Sequence, residues 1–275
     1  MIDSIALAAG PLLLASLAAL YTELSGALGV FIEGFMNIGA FFAYLFTVKT
    51  GSVLIACLLT GALAGSIGFA LACFVRSTGA NPFIAGLALN LFAEGLTASL
   101  SAAFFGTKGV LRSPDFPPTD RFSCVYLALS LLLATAFVVK KTVLGPRLIA
   151  SGTAPSAAYE RGIHTQRYRV AAWTAAAIVS AAAGAHLTFR VSVYTPGGVA
   201  GRGWIALACV YLGFRRIGGT AAAALLFAVV EYIGYSVQVI GAVSATLVLG
   251  LPSALALMLY ALSCAGSQMR KPVSS

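Results

Sequence analysis

Long apolar runs, broken at wide intervals by single charges, dominate this chain. They cover residues 4–21, 34–47, 50–75, 80–105, 122–139, 170–189, 203–214, 217–240 and 242–264. A helix needs about 20 predominantly apolar residues to cross a bilayer. The pattern therefore predicts an all-α, polytopic membrane protein with about nine transmembrane helices in one transmembrane domain over 1–275. Two runs, 34–47 and 203–214, are too short for straight spans. Each follows a Gly-interrupted stretch, 25–34 and 195–203, and each of those follows a full-length run, 5–21 and 170–189. Two longer runs come after each unit, so the chain reads as two weakly repeated halves with Gly-broken short helices. Such segments in corresponding positions of two halves point to a substrate pathway. Broken backbone at membrane depth survives only where protein or water satisfies it. The glycines at 61 and 65 have the small-xxx-small spacing of a simple helix contact.

Three carboxylates, Glu33, Glu94 and Glu231, interrupt these runs. A charge at the bilayer centre costs about 2.5–3.5 kcal/mol on insertion scales and usually faces a bundle interior or a wet path. Asn90 and Glu94 are four apart and share a helix face. Glu231 has no comparable context and reads as a structural hydrogen-bonding partner.

Composition agrees with the spans. The chain has 275 residues, is 60% hydrophobic and only 9% charged, against about 25% charged in soluble domains. The net charge of +9 reads as a topology signal rather than a nucleic-acid footprint. Placing Arg76, 140–169, Arg215, Arg216, Arg270 and Lys271 on the cytoplasmic side puts 11 of the 17 Lys and Arg there. The N-terminus is then outside and the C-terminus inside. Met1-Ile2-Asp3 lacks a basic n-region, so the first run reads as a retained span. The external segment 106–121 is rich in Pro and charge, and the cytoplasmic segment 140–169 carries a short helical stretch around Ser156–Arg161.

Chemistry is scarce. The five cysteines are scattered, with no CxxC or Cys/His cluster, so no metal site or disulfide framework is indicated. No GxxxxGK[ST] loop, HExxH or GxSxG occurs. His164 and His186 stand far apart and read as structural. An enzyme is not indicated. A proton-coupled secondary transporter and a membrane scaffold without transport both remain compatible with buried glutamates.

Four ordered blocks narrow the field: TELSGALGVFIEGFMNIGAFFA (22–43), GANPFIAGLALNLFAEGLTASL (79–100), GPRLIASGTAPSAAYERGI (145–163) and YTPGGVAGRGWIALACVYLGF (194–214). Together they resemble the branched-chain/ribose-type permeases of bacterial ABC importers. The chain is most similar to the shorter permease of nucleoside, basic membrane lipoprotein-linked, uptake systems. The resemblance covers essentially the whole chain. It implies an inner-membrane permease with no cofactor of its own, ATP and magnesium being held by partner ATPase subunits. The other implied partners are a second, longer permease and an external binding lipoprotein or periplasmic protein, with no nucleic acid. It makes 140–169 a coupling segment, with Pro155, Ala158, Tyr159, Glu160 and Gly162 as ATPase contacts. Gly29-Val30-Phe31 departs from the Asn-Ile-Gly the family places before its Glu-Gly pair, and Ser151-Gly152-Thr153 departs from its Gly-Glu-Asn. The gain of Phe31 keeps riboflavin as the second substrate reading, with ribose or another sugar after it.

A nucleoside or flavin is a flat polar ring on a polyol, so its path needs aromatic faces and a few hydrogen-bonding groups. The expected pathway set is Phe31, Glu33, Phe35, Asn37, Asn90 and Glu94, with Phe31 or Phe35 stacking the ring. The alternative is that Asn90 and Glu94 bond neighbouring helices and the phenylalanines face lipid. Arg202 and Trp204 are expected at the external mouth, where Arg202 could pair an acid on the binding protein.

Overall fold

A computed structural model describes residues 2–239 except 115, 118 and 121. These residues form a helical bundle, with ten helices among them in chain order: α1 Ile2–Leu24, α2 Ile32–Thr50, α3 Val53–Thr78, α4 Pro82–Phe105, α5 Ser123–Lys141, α6 Leu144–Thr153, α7 Pro155–Glu160, α8 Thr165–Val191, α9 Arg202–Leu212 and α10 Ile217–Val239. Among the described residues six, α1, α3, α4, α5, α8 and α10, are long and apolar enough to cross a membrane. Eight of the nine expected runs fall among the described residues, six of them as such helices and two as lesser elements. α2 carries Glu33, Asn37 and Lys49, and is buried along most of its length. α9 has 11 residues. The predicted run 242–264 lies outside the described residues. The all-helical expectation needs one small amendment: β1 Leu111–Arg112 and β2 Val193–Tyr194 form a two-stranded antiparallel ladder, Leu111 opposite Tyr194.

The spans divide by what they face. In α1 72% of the spanning window is buried and in α8 56%, against 17% in α4 and in α5. So α1 and α8 form the hub, and α4 and α5 turn large side chains such as Leu91, Phe92, Leu133 and Phe137 outward. That much exposed apolar surface suits lipid or a partner, not water.

Apolarity cannot drive one helix onto another in lipid, so close packing of small residues does. A Cβ on Gly39 of α2 would strike the backbone of Ala181 in α8, and one on Gly184 of α8 would strike the backbone of Met36. The α2–α8 crossing is backbone on backbone. Gly65 packs on Ile178 of α8, where an added Cβ would sit 3.1 Å from that side chain, whereas at Gly61 the nearest atom is 3.8 Å away.

One end of the bundle gathers the end of α1, α6 and α7, the start of α8 and the α9–α10 turn. There Arg169 Nε donates to Ser25 O at 3.2 Å, and Gly26 lies against Gly152 of α6. At the opposite end Arg190 Nη1 donates to Leu7 O at 3.2 Å, and Gly10 packs on Cys124.

Gly184→Val is expected to lose about 1–3 kcal/mol of stability by overpacking. Gly95→Ala, with nothing within 4 Å of the added carbon, is expected to change nothing. Denaturant titration of the purified protein checks both.

Candidate functional site

Two interruptions in the bundle meet at one point. The first follows α1, where the chain leaves the helix at Ser25 and turns back through Gly26 (φ 78°) before α2 begins. Its backbone groups find partners in side chains. Thr22 Oγ1 accepts from Gly29 N at 3.0 Å, and Trp173 Nε1 donates to Ala27 O at 3.0 Å. Asn90 closes the stretch twice: its Nδ2 donates to Val30 O at 2.9 Å and its Oδ1 accepts from Gly34 N at 2.8 Å. Such pairing is the condition for irregular backbone inside a membrane.

The second interruption follows α8. Residues 195–201 run through tight turns, with Gly197, Ala200 and Gly201 in the left-handed region (φ 68°, 51° and 80°). Gly198 N donates to Thr195 O at 2.9 Å, and Ala200 N to Gly197 O at 3.0 Å. α9 then starts beside the start of α2. Its first amides have no intrahelical acceptor. Glu33 supplies one from another element: Oε1 accepts from Gly201 N at 2.9 Å and Oε2 from Gly203 N at 2.7 Å. Gly203 is required here, because a Cβ would lie 2.6 Å from Glu33 N. Glu33 also sits in the first turn of α2. Two helix N-termini, each with a partial positive charge, therefore converge on one carboxylate.

α9 is fastened on its other sides as well. Arg202 is buried; its Nη1 donates to Gly198 O at 3.0 Å and its Nη2 pairs with Glu231 Oε1 of α10 at 2.7 Å. At the far end Tyr211 OH donates to Glu23 Oε2 at 3.1 Å, and Arg215 Nη2 pairs with Glu23 Oε1 at 2.8 Å.

The expected site residues fall into three groups. Glu33 and Asn90 come together at the start of α2, but both are engaged there. Asn37, half-buried one turn beyond Glu33, and Glu94, exposed one turn beyond Asn90, stay on the more open side. Phe31 and Phe35 are fully buried and pack edge to face on each other, at 5.4 Å between ring centroids, with Phe31 also 4.8 Å from Trp173. They face neither lipid nor an open path here, so the expected stacking of a passing ring on them finds no free ring face. Arg202 does not reach an outer mouth: it is buried beside the clasp and its charge is taken by Glu231. Glu231 keeps the structural role read from sequence, and its partner is now named. Trp204 is 44% exposed on the first turn of α9.

In the segment 140–169, Pro155, Tyr159, Glu160 and Gly162 are exposed, Gly162 with φ 76°. Ala158 is not: it is buried and anchors α7, which corrects its place among the outward contacts. Sequence reasoning missed Glu23, Trp173, Arg169 and the Gly26–Gly152 contact. Glu23 lies inside the 22–43 block, just past the first uncharged run, where nothing in the sequence marks its partners on α9 and beyond it. Among the described residues no three His, Cys, Asp or Glu side chains group as a metal site.

Arg202→Ala strands the Glu231 charge, and breaking a buried pair costs about 3–5 kcal/mol. Arg202→Met with Glu231→Met is expected to be markedly less damaging than Arg202→Ala alone. Thermal unfolding of the three purified proteins checks the order.

Residues 1–262 match the family described as the branched-chain amino acid transport system / permease component. Over 82% of this chain and 73% of the relative, it is 30% identical to a putative glucose ABC transporter permease protein, TsgC13, of Haloferax volcanii. It is 29% identical to the guanosine ABC transporter permease protein NupQ of Bacillus subtilis, over 80% of this chain and 76% of the relative. It is 27% identical to the nucleoside ABC transporter permease protein NupC of Lactococcus lactis, over 79% and 76%. Six spanning helices, two broken elements tied together inside the bundle and a family match over nearly the whole length lead to one conclusion: the chain belongs to this family, as a multi-pass permease subunit of an ABC importer and not an enzyme.

Proposed function

We propose that this permease forms half of the pathway for a neutral, ring-bearing substrate of the nucleoside class. The observation that carries the reading is the Glu33 clasp. A positive helix N-terminus is the usual seat for an anionic group, and here α9's is filled by the protein's own carboxylate. The polar groups left on the more open side are Asn37 and Glu94, with Trp204 near by on α9. Carboxylate and amide acceptors suit the N–H and O–H donors of a purine nucleoside, and an exposed indole suits its flat face. A phosphorylated substrate would meet like charge. Two of the relatives are named for guanosine and for nucleosides. The relative named for glucose favours a sugar as the second reading; nothing in these comparisons favours riboflavin.

The same reading assigns the partners. The end carrying Arg76, Lys140, Lys141, Arg147, Arg161, Arg167, Arg169, Arg215 and Arg216 faces the cytoplasm, which places the N-terminus outside. α7 docks on the ATPase through Pro155, Tyr159, Glu160 and Gly162, held in place by buried Ala158. The sparsely buried α4 face, with Glu94, meets a second permease across the pathway.

The reading is tested by ATP-driven uptake into proteoliposomes holding the whole complex and its binding protein. Guanosine is expected to accumulate and guanosine monophosphate is not. Glu94→Gln with Trp204→Ala is expected to lower uptake about tenfold or more, since each lost contact costs about 1 kcal/mol or more. Uptake of glucose without any nucleoside would replace the first reading with the second.

Tyr159→Ala is expected to leave the assembled complex with ATPase activity that no longer responds to substrate, while uptake falls to background. A hot-spot aromatic at an interface is worth about 2 kcal/mol or more. Unchanged uptake would remove α7 from the coupling path.

A further inference from the structure

A groove of about 490 Å³ runs along the outer face of the bundle between α5, α6 and α8. Its walls are apolar: Leu131, Val138 and Val139 from α5, and Ala175, Ile178 and Val179 from α8. The hydroxyls of Tyr21 and Thr135, also in its wall, are bonded to each other, so neither needs a polar occupant. On α8 the groove extends from Tyr168 to Val179, about 16 Å at the rise of an α-helix. That is about half of the roughly 30 Å hydrocarbon core, the reach of one leaflet's acyl chain.

At the basic end of the bundle this groove adjoins a second hollow of about 420 Å³, and the two share Leu144, Tyr168 and Ala171. The second hollow is of opposite character. It is lined by Arg147, Arg161, His164 and Arg167, and no acid lines it. None of these side chains makes a hydrogen bond or ion pair among the described residues. Tyr168 stands at the junction and lines both hollows, an amphipathic side chain of the kind found at membrane interfaces.

We propose that the joined hollows form a site for one anionic phospholipid, its acyl chain in the α5–α8 groove and its phosphate among Arg147, Arg161 and Arg167. Charge complementarity and the length match select this occupant over a soluble anion, which would use only the basic half, and over a zwitterionic lipid, which gains nothing net from the cations. The site touches the segment 144–164 on α6 and beside α7. A lipid held there therefore bears on the same elements that the proposed ATPase contact uses.

The test uses the whole transporter complex, purified from vesicles of phosphatidylcholine with or without phosphatidylglycerol, with retained lipid read by native mass spectrometry. Wild type is expected to keep about one phosphatidylglycerol per copy of this chain and no phosphatidylcholine. Arg147→Gln with Arg167→Gln is expected to weaken retention roughly twentyfold, about fivefold for each basic side chain near the surface. Ala171→Trp, which blocks the junction and keeps every charge, is expected to abolish it. Equal retention of both lipids, or retention unaffected by either variant, would overturn the site. Displacement by glycerol phosphate as readily as by the whole lipid would reduce it to an anion pocket and overturn the acyl half. If the arginine variant sheds the ATPase and keeps its lipid, the basic hollow is a protein interface. Cross-linking of a cysteine at position 175 to one placed in 242–264 would put this chain's own segment in the groove. Either result would sink the proposal.

Discussion

One carboxylate holds the two broken halves of this permease together. Without Glu33, the amides of Gly201 and Gly203 at the start of α9 would lose their acceptor inside the bundle, and an unsatisfied polar group there costs several kcal/mol. With it, α9 is capped through Gly201 and Gly203, and α2 gains an acid at its own positive end. The arrangement explains why the glycines lie where they do. Gly203 must lack a Cβ because the Glu33 backbone is already there, and Gly34 must lack one because Asn90 reaches its amide. The segments before both helices are then free to be short and irregular. Each is satisfied locally, the first by Thr22, Trp173 and Asn90, the second by its own turns and Arg202.

The clasp also sets the electrostatics. Arg202 sits between Gly201 and Gly203 in the chain, and its guanidinium forms its ion pair with Glu231 on α10. Glu33 is thereby left to accept from two backbone amides, while Arg202 joins α10 to the Gly-rich turn through Glu231 and Gly198 O. Had Arg202 paired with Glu33, α9 would lose its cap and Glu231 would be stranded. α9 is thus fixed at its start by α2 and α10, and at its end by Glu23 of α1 through Tyr211 and Arg215. Two of the three intramembrane glutamates are spent on α9, as is Glu23 at its far end, and only Glu94 stays exposed.

Spans and breaks were legible because length and hydropathy report them directly, and because glycine marks places where backbone must bend or touch. Neighbours were not legible. In a soluble helix the apolar stripe reveals the buried face, but lipid is as apolar as a core. Phe31 and Phe35 could therefore be read as lining a pathway, when Phe35 packs on Phe31 and Phe31 on Trp173. The spacing of Asn90 and Glu94 predicted a shared helix face. It did not show that Asn90 is consumed by the turn before α2, leaving Glu94 exposed. Arg202 misled for another reason: a charge beside a Gly-rich stretch looks like a surface loop until the partner acid, 29 positions on, is known to face it. The counterpart of the segment 140–169 was hidden in the same way, because a glycine in α6 gives no sign of which backbone it touches.

That last contact suggests how movement at the basic end would reach the clasp. Gly152 of α6 lies against the backbone of Leu24, Ser25 and Gly26, closely enough that a Cβ on Gly152 would strike Leu24 O. From there the chain needs only five residues to reach Ile32, and along them Ala27 is held to Trp173 and Val30 to Asn90. A displacement of α6 cannot be absorbed by side-chain rearrangement at a glycine-to-backbone contact, since there is no side chain to rearrange. It must be passed to the turn or must break the Trp173 and Asn90 hydrogen bonds. Because Asn90 bonds both Val30 and Gly34, a shift of the turn also tilts the start of α2, and with it the carboxylate that caps α9. The Glu33 cap is therefore the point at which a push on α6 becomes a change in the relation of the two halves. This does not depend on the identity of the substrate.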